Sequence, residues 1–497
     1  MNKKIKVKKL CDFIKERMTP EIMAFIFIIM IGSYILFLKP IIGVADNGDF
    51  SRIMSQNGLY HLSSNYEDTM FGYFNREYGI YKYANETTST LFSTQSIFIK
   101  LAVFISKIFN NNNIFDIRFL SVIFLILHAI AGYLLVKVFT KDIKLQKFKY
   151  LIVGLYIFIF CDIAYIAYFN SFYPQAVMIT CFLLSVGILL YMMKFNKINL
   201  VNLILLSIVS LLFLGSKQQL APIGILIAIL IIRMGIITKR KSIKIVSIGI
   251  GFSFILLSFL LFKSISNDLN YVNRFHTMTR GVLMNSEDPE KSLKEFGIDG
   301  SYSLLQGETF YAKVPSINPQ DERLKEDFYE NYSMLSIFIY YLKHPNEFKE
   351  ALKVGINNAY TISSKGVGNY EKTEGKEYGE KSYFFRGWSL LKDNNFFKNG
   401  GFIIVYLTAY FIYSFSIYKR NFKNKNINGC LFEEVYLYIF LAGVSQIITS
   451  IILYGDADIE KHEFLYNLTF DLIIIKLVVQ YLMNFEENNK GGKVIEN

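Results

Sequence analysis

The sequence predicts an all-α polytopic membrane protein: a bundle of about ten transmembrane helices with membrane-parallel helices and an external loop subdomain. Three observations predict it. Hydrophobic residues make up 52% of the 497-residue chain, and its mean hydropathy is +0.31, an apolar load too large for an ordinary soluble domain. Apolar runs of spanning length recur near 22–42, 115–138, 149–168, 173–193, 198–216, 220–237, 243–263, 401–418, 433–453 and 464–484. The segments between these runs alternate between basic and non-basic, as the positive-inside rule requires.

Each connection then takes a side. Lys3, Lys4, Lys6, Lys8, Lys9, Lys15 and Arg17 precede the first run, and Lys141, Lys144, Lys147 and Lys149 separate the second from the third. Lys194 and Lys197 follow the fourth, Arg233, Lys239, Arg240, Lys241 and Lys244 the sixth, and Lys419, Arg420, Lys423 and Lys425 the eighth. All fall on one side, which makes it cytoplasmic and puts both termini there. The first run lacks a small-residue cleavage site and reads as a retained helix. The formal charge of +12 is spread in these short clusters and not massed on a soluble domain, which argues against nucleic acid as a partner. Of the four cysteines, Cys161 and Cys181 lie in apolar runs and Cys11 and Cys430 in cytoplasmic segments, so none staples an external domain.

The external segments are 42–114, 169–172, 216–219, 264–400 and 455–463. The chain thus divides into a transmembrane core over 1–263 that includes a first external loop (43–114), an extracytoplasmic loop subdomain over 264–400, and C-terminal transmembrane helices with a short cytoplasmic tail over 401–497. Residues 92–109 are apolar but carry Lys100 and Lys107, which suggests an interfacial helix or else an eleventh span. Residues 335–356 form an amphipathic stretch broken by His344-Pro345. Residues 365–381, rich in Gly, Glu and Lys, predict a mobile loop.

Polar groups at the outer helix ends carry the functional signal, because an ionisable group at a membrane needs a partner or a purpose. Asp46-Asn47-Gly48-Asp49 followed by Arg52 could set a general base beside a cation for an anionic group; the same residues also fit an Asx-type turn with Asp49 as N-cap of a helix from Phe50. Gly455-Asp456-Ala457-Asp458-Ile459-Glu460-Lys461-His462 opens the last run, and Lys461 and His462 beside a helix N-terminus predict an anion there. Lys217 and Gln218 in a short external turn, and Arg274, His276 and Arg280 beyond the seventh run, add further phosphate-binding candidates. Asp162 and Asp471 fall inside spans, either as packing hydrogen bonders or as part of a polar cavity. His61, His128 and His344 have no partner at zinc-ligand spacing. No nucleotide-binding motif stands in a plausible setting, which argues against a nucleotide-driven pump.

Asp46-Asn47-Gly48-Asp49-Phe50-Ser51-Arg52, Tyr168-Phe169-Asn170-Ser171-Phe172-Tyr173, Gly281-Val282-Leu283 with Ser286-Glu287-Asp288-Pro289, and Glu460-Lys461-His462 with Phe464, Asn467 and Asp471 occur in order from the first span to the last. Together they resemble motifs of bacterial glycan-biosynthesis hexose transferases, the WsfD-like members of the GT-C class of membrane glycosyltransferases. The resemblance implies a GT-C-like bundle in the cell membrane with an active site on the extracytoplasmic face. It implies transfer of a hexose from a polyprenyl-phosphate-linked donor to an envelope glycan or wall polymer. Asp49 is then the candidate general base, with Asp46 its neighbour and possible substitute. Arg52, Asn170, Tyr173, Lys217, Gln218, Arg274, His276, Lys461 and His462 are the candidate substrate-binding residues. Pro174-Gln175 stands where the pattern leads one to expect an acid, so no acid or metal role is carried over to that position.

A direct displacement of this kind inverts the anomeric centre and needs one carboxylate base, plus cations for the leaving phosphate. No cofactor is required, and a divalent cation is compatible with the chemistry but compelled by no ligand set. The rival readings are an envelope polysaccharide polymerase or ligase, and a lipid-linked glycan transporter or flippase.

Overall fold

The computed structural model describes residues 18–82, 92–109, 113–264, 267–394 and 397–491. The N-terminal basic cluster and Cys11 lie outside them. The ten apolar runs all become helices: α1 (Pro20–Phe37), α4 (Arg118–Phe139), α5 (Gln146–Phe160), α6 (Gln175–Lys194), α7 (Leu200–Leu214), α8 (Ala221–Ile237), α9 (Lys241–Lys263), α14 (Gly400–Lys423), α15 (Ile427–Tyr454) and α17 (Phe464–Gly491). Among the described residues, eight helices have spanning length and composition. The two exceptions have physical reasons. After α5 the chain bends by 52° into 163–170, where Asp162 caps the new segment by accepting from the Ala164 N–H. Helix α7 has 15 residues, about 22 Å at 1.5 Å per residue, short of the roughly 30 Å hydrocarbon core.

Helix α6 is apolar all round, as a helix enclosed by others must be, and 94% of its spanning window is buried. Helices α4, α7 and α15 pack against it, with α1 against α4 and α17 against α15. Helices α9 and α14 instead face outward, with Phe252, Leu256, Phe259, Ile404 and Val405 exposed along them. The remaining labelled helices are α2 (Phe50–Gln56), α3 (Gln95–Phe109), α10 (Asn267–His276), α11 (Met334–Lys343), α12 (Pro345–Asn358), α13 (Gly387–Lys392) and α16 (Ile459–His462). The break foreseen at His344-Pro345 separates α11 from α12, with Pro345 in the first turn where its missing N–H costs nothing. Helix α3 is a 15-residue amphipathic helix with Phe98, Ile99 and Ala102 buried against the bundle.

The sheet content is small and was not foreseen. β1 (Ile42–Val44) pairs antiparallel with β5 (Val367–Tyr370), and β2 (Leu59–His61), β3 (Glu77–Ile80) and β4 (Ile114–Asp116) form a three-stranded antiparallel sheet. β5 places a strand inside 365–381, where the sequence predicts a mobile loop. Its backbone is spent on β1, the Tyr378 hydroxyl donates to the Met70 carbonyl at 2.9 Å, and the Ser382 N–H donates to the Gly368 carbonyl at 2.8 Å. The Tyr378 bond laces the segment to the loop that bears Met70.

Residues 275–341 build an apolar cluster of their own with Ile451, Ile452 and Ile459. Ala359, Tyr360, Ile362, Val367 and Trp388 return to the main core. Helix α13 is held there by two buried carboxylates. Asp162 accepts from the Ser389 N–H (2.9 Å) and hydroxyl (2.8 Å), and Asp471 accepts from Lys392 Nζ (2.9 Å), Trp388 Nε1 (3.0 Å) and the Tyr165 hydroxyl (2.5 Å). Of the two readings open for these aspartates, the structure selects packing. A second intramembrane pair, Lys476 to Glu433 at 2.6 Å, ties α17 to α15.

Gly455 ends α15 with φ +62, and a Cβ there would stand 2.8 Å from the Gly281 N and 2.9 Å from the His276 O. Gly455→Ala is expected to lower stability by about 1–3 kcal/mol, read as a fall in thermal unfolding temperature. Gly375→Ala, also at positive φ but in open space, is the control and should cost less.

Candidate functional site

Eight of the polar residues singled out in the sequence converge at the bundle end opposite the lysine clusters of 141–149, 194–197 and 239–244. There the loops after α1, before α6, after α7, around α10 and between α15 and α17 enclose a cleft of about 220 Å³. Asp49, Arg52, Tyr173, Lys217, Gln218, His276, Lys461 and His462 all line it.

The Asp46–Arg52 loop sorts its two carboxylates into different tasks. Asp46 is 2% exposed; its Oδ1 accepts the Gly48 N–H (2.7 Å) and the Phe50 N–H (3.1 Å), and its Oδ2 meets His61 Nε2 at 3.2 Å. Gly48 takes φ +102 to close this turn, a conformation that favours glycine. The turn reading therefore holds in position, with Asp49 the N-cap residue of α2, but Asp49 makes no side-chain cap bond; the carboxylate that closes the turn is that of Asp46. That leaves the Asp49 carboxylate, 41% exposed, facing the cleft, 3.1 Å from Lys461 Nζ and 3.5 Å from Arg52.

Lys461 is the hub. Its ammonium contacts Asp49, stands 3.5 Å from Asp458, and lies 4.7 Å from the centre of the Tyr173 ring. The helix-dipole argument for an anion here does not hold. Helix α16 is a single turn that places Lys461 and His462 at its C-terminal end, where positive charge is favoured, and the last span starts only at Phe464. Asp458, at φ +46, instead turns its carboxylate toward Lys461 and Asn47.

Lys217 is placed by lacing of the short helix α7. The Ser93 hydroxyl donates to the Ser216 carbonyl (3.0 Å), the Thr94 hydroxyl to the Leu212 carbonyl (2.6 Å), and Gln218 Nε2 to the Phe92 carbonyl (3.0 Å). The Lys217 ammonium lies 3.1 Å from His462 Nδ1. That nitrogen also lies 2.8 Å from Gln219 Oε1, while Gln219 Nε2 is spent on the Gln446 side chain and the His462 carbonyl. Nδ1 must therefore carry the proton given to Gln219, and Lys217 gains no acceptor from the ring. Among the described residues no carboxylate pairs with Lys217. Burial, reinforced by Lys461, lowers its ammonium to about 7. Burial and the same two lysines hold His462 well below its ordinary value, and it stacks on Tyr454 at 3.7 Å. His276 is lowered to about 4 by burial and Arg280, and its Nε2 accepts the Phe310 N–H at 3.0 Å. Both imidazoles line the cleft neutral, so the cations facing it are Arg52, Lys217 and Lys461.

Three sequence candidates stand outside this group. Asn170 is fully buried in the frame: its Nδ2 donates to the Leu36 and Ile42 carbonyls (3.1 and 2.8 Å), and its Oδ1 accepts from Ser121. It fixes the exit of α1 and so the loop bearing Asp49. Arg274 is spent on the carbonyl and ring of Tyr332. Arg280 makes a bidentate bond to Asp456 at 2.5 and 2.7 Å, anchoring the loop before α16. Conversely, Tyr311, whose hydroxyl accepts from Arg52 at 2.9 Å, was missed, and nothing in its sequence surroundings marks it; Gln219, in the same short turn as the candidates Lys217 and Gln218, was not among the site residues. Among the described residues no group of three or more His, Cys, Asp or Glu side chains is gathered as a metal-ligand set.

Fold and cleft define a multi-pass α-helical membrane protein with a cation-rich polar cleft at one end of its bundle. The chain belongs to the family of the YfdI N-terminal transmembrane domain, whose family model matches residues 2–495. No curated protein and no solved structure matches it.

Proposed function

We propose that the protein is an extracytoplasmic GT-C-type hexosyltransferase that moves a hexose from a polyprenyl-phosphate donor to an envelope glycan, with Asp49 as general base. Membership in a family whose proteins are membrane glycosyltransferase-like supports this reading. The observation that carries it is the pairing within one cleft of an exposed carboxylate, Asp49, with Lys217, a cation that has no carboxylate partner among the described residues.

A polyprenyl-phosphate sugar leaves as a phosphate, and preorganised cations stabilise the charge that grows on it. Lys217 and Arg52 serve that charge. Lys461 passes from Asp49 to the phosphate as the donor enters, which frees the carboxylate. The acceptor hydroxyl oxygen then attacks the anomeric carbon, its proton goes to Asp49, and the anomeric carbon–oxygen bond breaks with its electron pair on the phosphate. Configuration inverts. The deep ionisable groups Asp162, Asp471, Lys392, Glu433 and Lys476 are all bonded to protein partners, which favours an enzyme over a flippase.

The test is transfer of radiolabelled hexose from polyprenyl-phosphate hexose into envelope material by membranes carrying the protein. Transfer that depends on the protein supports the reading; its absence with every hexose donor sinks it. Chain length on the carrier in cells lacking the protein separates a single-sugar transferase from a polymerase.

The Lys217 titration adds a pH prediction. The donor is a phosphodiester with one negative charge across the neutral range, so the titrating group belongs to the protein. Free Lys217 is protonated below about 7, and only that form attracts the phosphate. The donor KM should be flat below that pH and rise about tenfold per unit above it. Lys217→Arg, always charged, should remove the rise. An unchanged pH slope in that variant would discard the assignment.

A further inference from the structure

A second cleft, of about 410 Å³, adjoins the first and shares Tyr173, Asp458 and Lys461 with it. Its lining has another character. The first cleft gathers cations; this one is lined by the amides of Asn47 and Asn358, the Ser364 hydroxyl, a lysine (Lys365) and a glutamate (Glu460). Neither Lys365 nor Glu460 has a hydrogen-bond or ion-pair partner among the described residues. Burial raises the Glu460 carboxyl above its ordinary value, with the charge of Lys381 offsetting only part of the loss of water.

Phe71 completes the lining. It is 45% exposed and held at φ +60, a backbone region costly for a bulky residue. The Phe71 N–H donates to the Asp46 carbonyl at 2.7 Å, so the turn that orients Asp49 also fixes this ring. Strain of this kind persists where surrounding structure imposes it, and it concentrates at ligand clamps.

We propose that this second cleft is the acceptor site and that its occupant is an uncharged, hydroxyl-rich glycan and not a phosphodiester wall polymer. The proposal rests on the transfer reading above. A sugar hydroxyl both donates and accepts: Glu460 takes two O–H donors from neighbouring hydroxyls, Asn358 and Lys365 give to others, and the Phe71 ring covers an apolar face of the pyranose. Charge selects against a polyanion. Asp456 is spent on Arg280 and Asp458 on Lys461, so a neutral glycan meets one free carboxylate and one free ammonium. A phosphodiester chain would meet a lining in which three carboxylates, Asp456, Asp458 and Glu460, outnumber two ammoniums, Lys365 and Lys461. The shared Lys461 wall sets an occupant of this cleft beside the side chain that contacts Asp49.

The experiment is saturation-transfer NMR on the full chain in nanodiscs with methyl glucoside, methyl galactoside and methyl mannoside. Poly(glycerol phosphate) serves as competitor, and binding of polyprenyl phosphate is measured in parallel. At least one methyl hexoside should bind saturably. Glu460→Gln and Phe71→Leu should each weaken it roughly tenfold with polyprenyl phosphate binding unchanged, and the polyanion should not displace it. No saccharide binding, equal binding in both variants, or displacement by the polyanion overturns the proposal. Loss of polyprenyl phosphate binding in the wild type would strike the donor reading instead, because the saccharide signal is read without a donor.

Discussion

Asp49→Asn is expected to lower hexose transfer by about 10²–10⁴-fold, the usual contribution of a positioned base, at unchanged protein level and unfolding temperature. The side chain is exposed to the cleft, caps nothing, and has Arg52 and Lys461 as its ionic partners. The amide keeps its volume and cannot take a proton. Donor binding should survive or tighten, because the substitution frees Lys461 for the phosphate. Asp46→Ala should behave in the opposite way. It leaves the Gly48 and Phe50 N–H groups and His61 without their acceptor, at about 1–3 kcal/mol for a buried unsatisfied group, so unfolding temperature should fall. Asp46→Asn keeps an acceptor oxygen for the two N–H groups and should be far milder. Measuring transfer and thermal unfolding together separates base from scaffold. If Asp49→Asn retains wild-type transfer, the base lies elsewhere in the cleft.

The spans were legible because each apolar run is a local signal: a bilayer demands about 20 apolar residues and internal backbone bonding, so composition alone locates a helix. The convergence of 46–52, 173, 217–218 and 461–462 was legible only in part. Those positions carry charge or hydrogen-bonding groups at helix ends, which marks them, but which of them share a cleft depends on loop paths. Asp46 and Asp49 show the limit. Their spacing is compatible with either one capping α2, and only the path of the turn at Gly48, with His61 brought across from β2, decides it. The strand pairing of β1 with β5 joins residues more than 300 positions apart, through short segments without alternation strong enough to register. Arg274 and Arg280 illustrate the converse error: charge near the site was visible, but Tyr332 and Asp456, which spend it, lie far away in sequence. Glu433 and Lys476 went unremarked because each is a lone ionisable group in its own helix until the fold pairs them.

Lys392→Met is expected to be strongly destabilising, by about 3–5 kcal/mol, the cost of leaving one partner of a buried ion pair uncompensated. Lys392 and Asp471 are both 0% exposed, and the ammonium is surrounded by the rings of Tyr360, Trp388 and Phe470 at 5.1 to 5.9 Å. With the lysine gone, Tyr165 and Trp388 still donate to Asp471, but a carboxylate with two neutral donors remains far from water. Adding Asp471→Asn removes that charge while retaining an acceptor oxygen for Tyr165 or Trp388, so the double variant should recover most of the lost stability. The comparison also separates packing from function. If this pair only docks α13 against the bundle, the double variant should regain transfer together with its unfolding temperature. Restored stability with transfer still absent would instead make the pair part of the working site, and would reopen the cavity reading of Asp471.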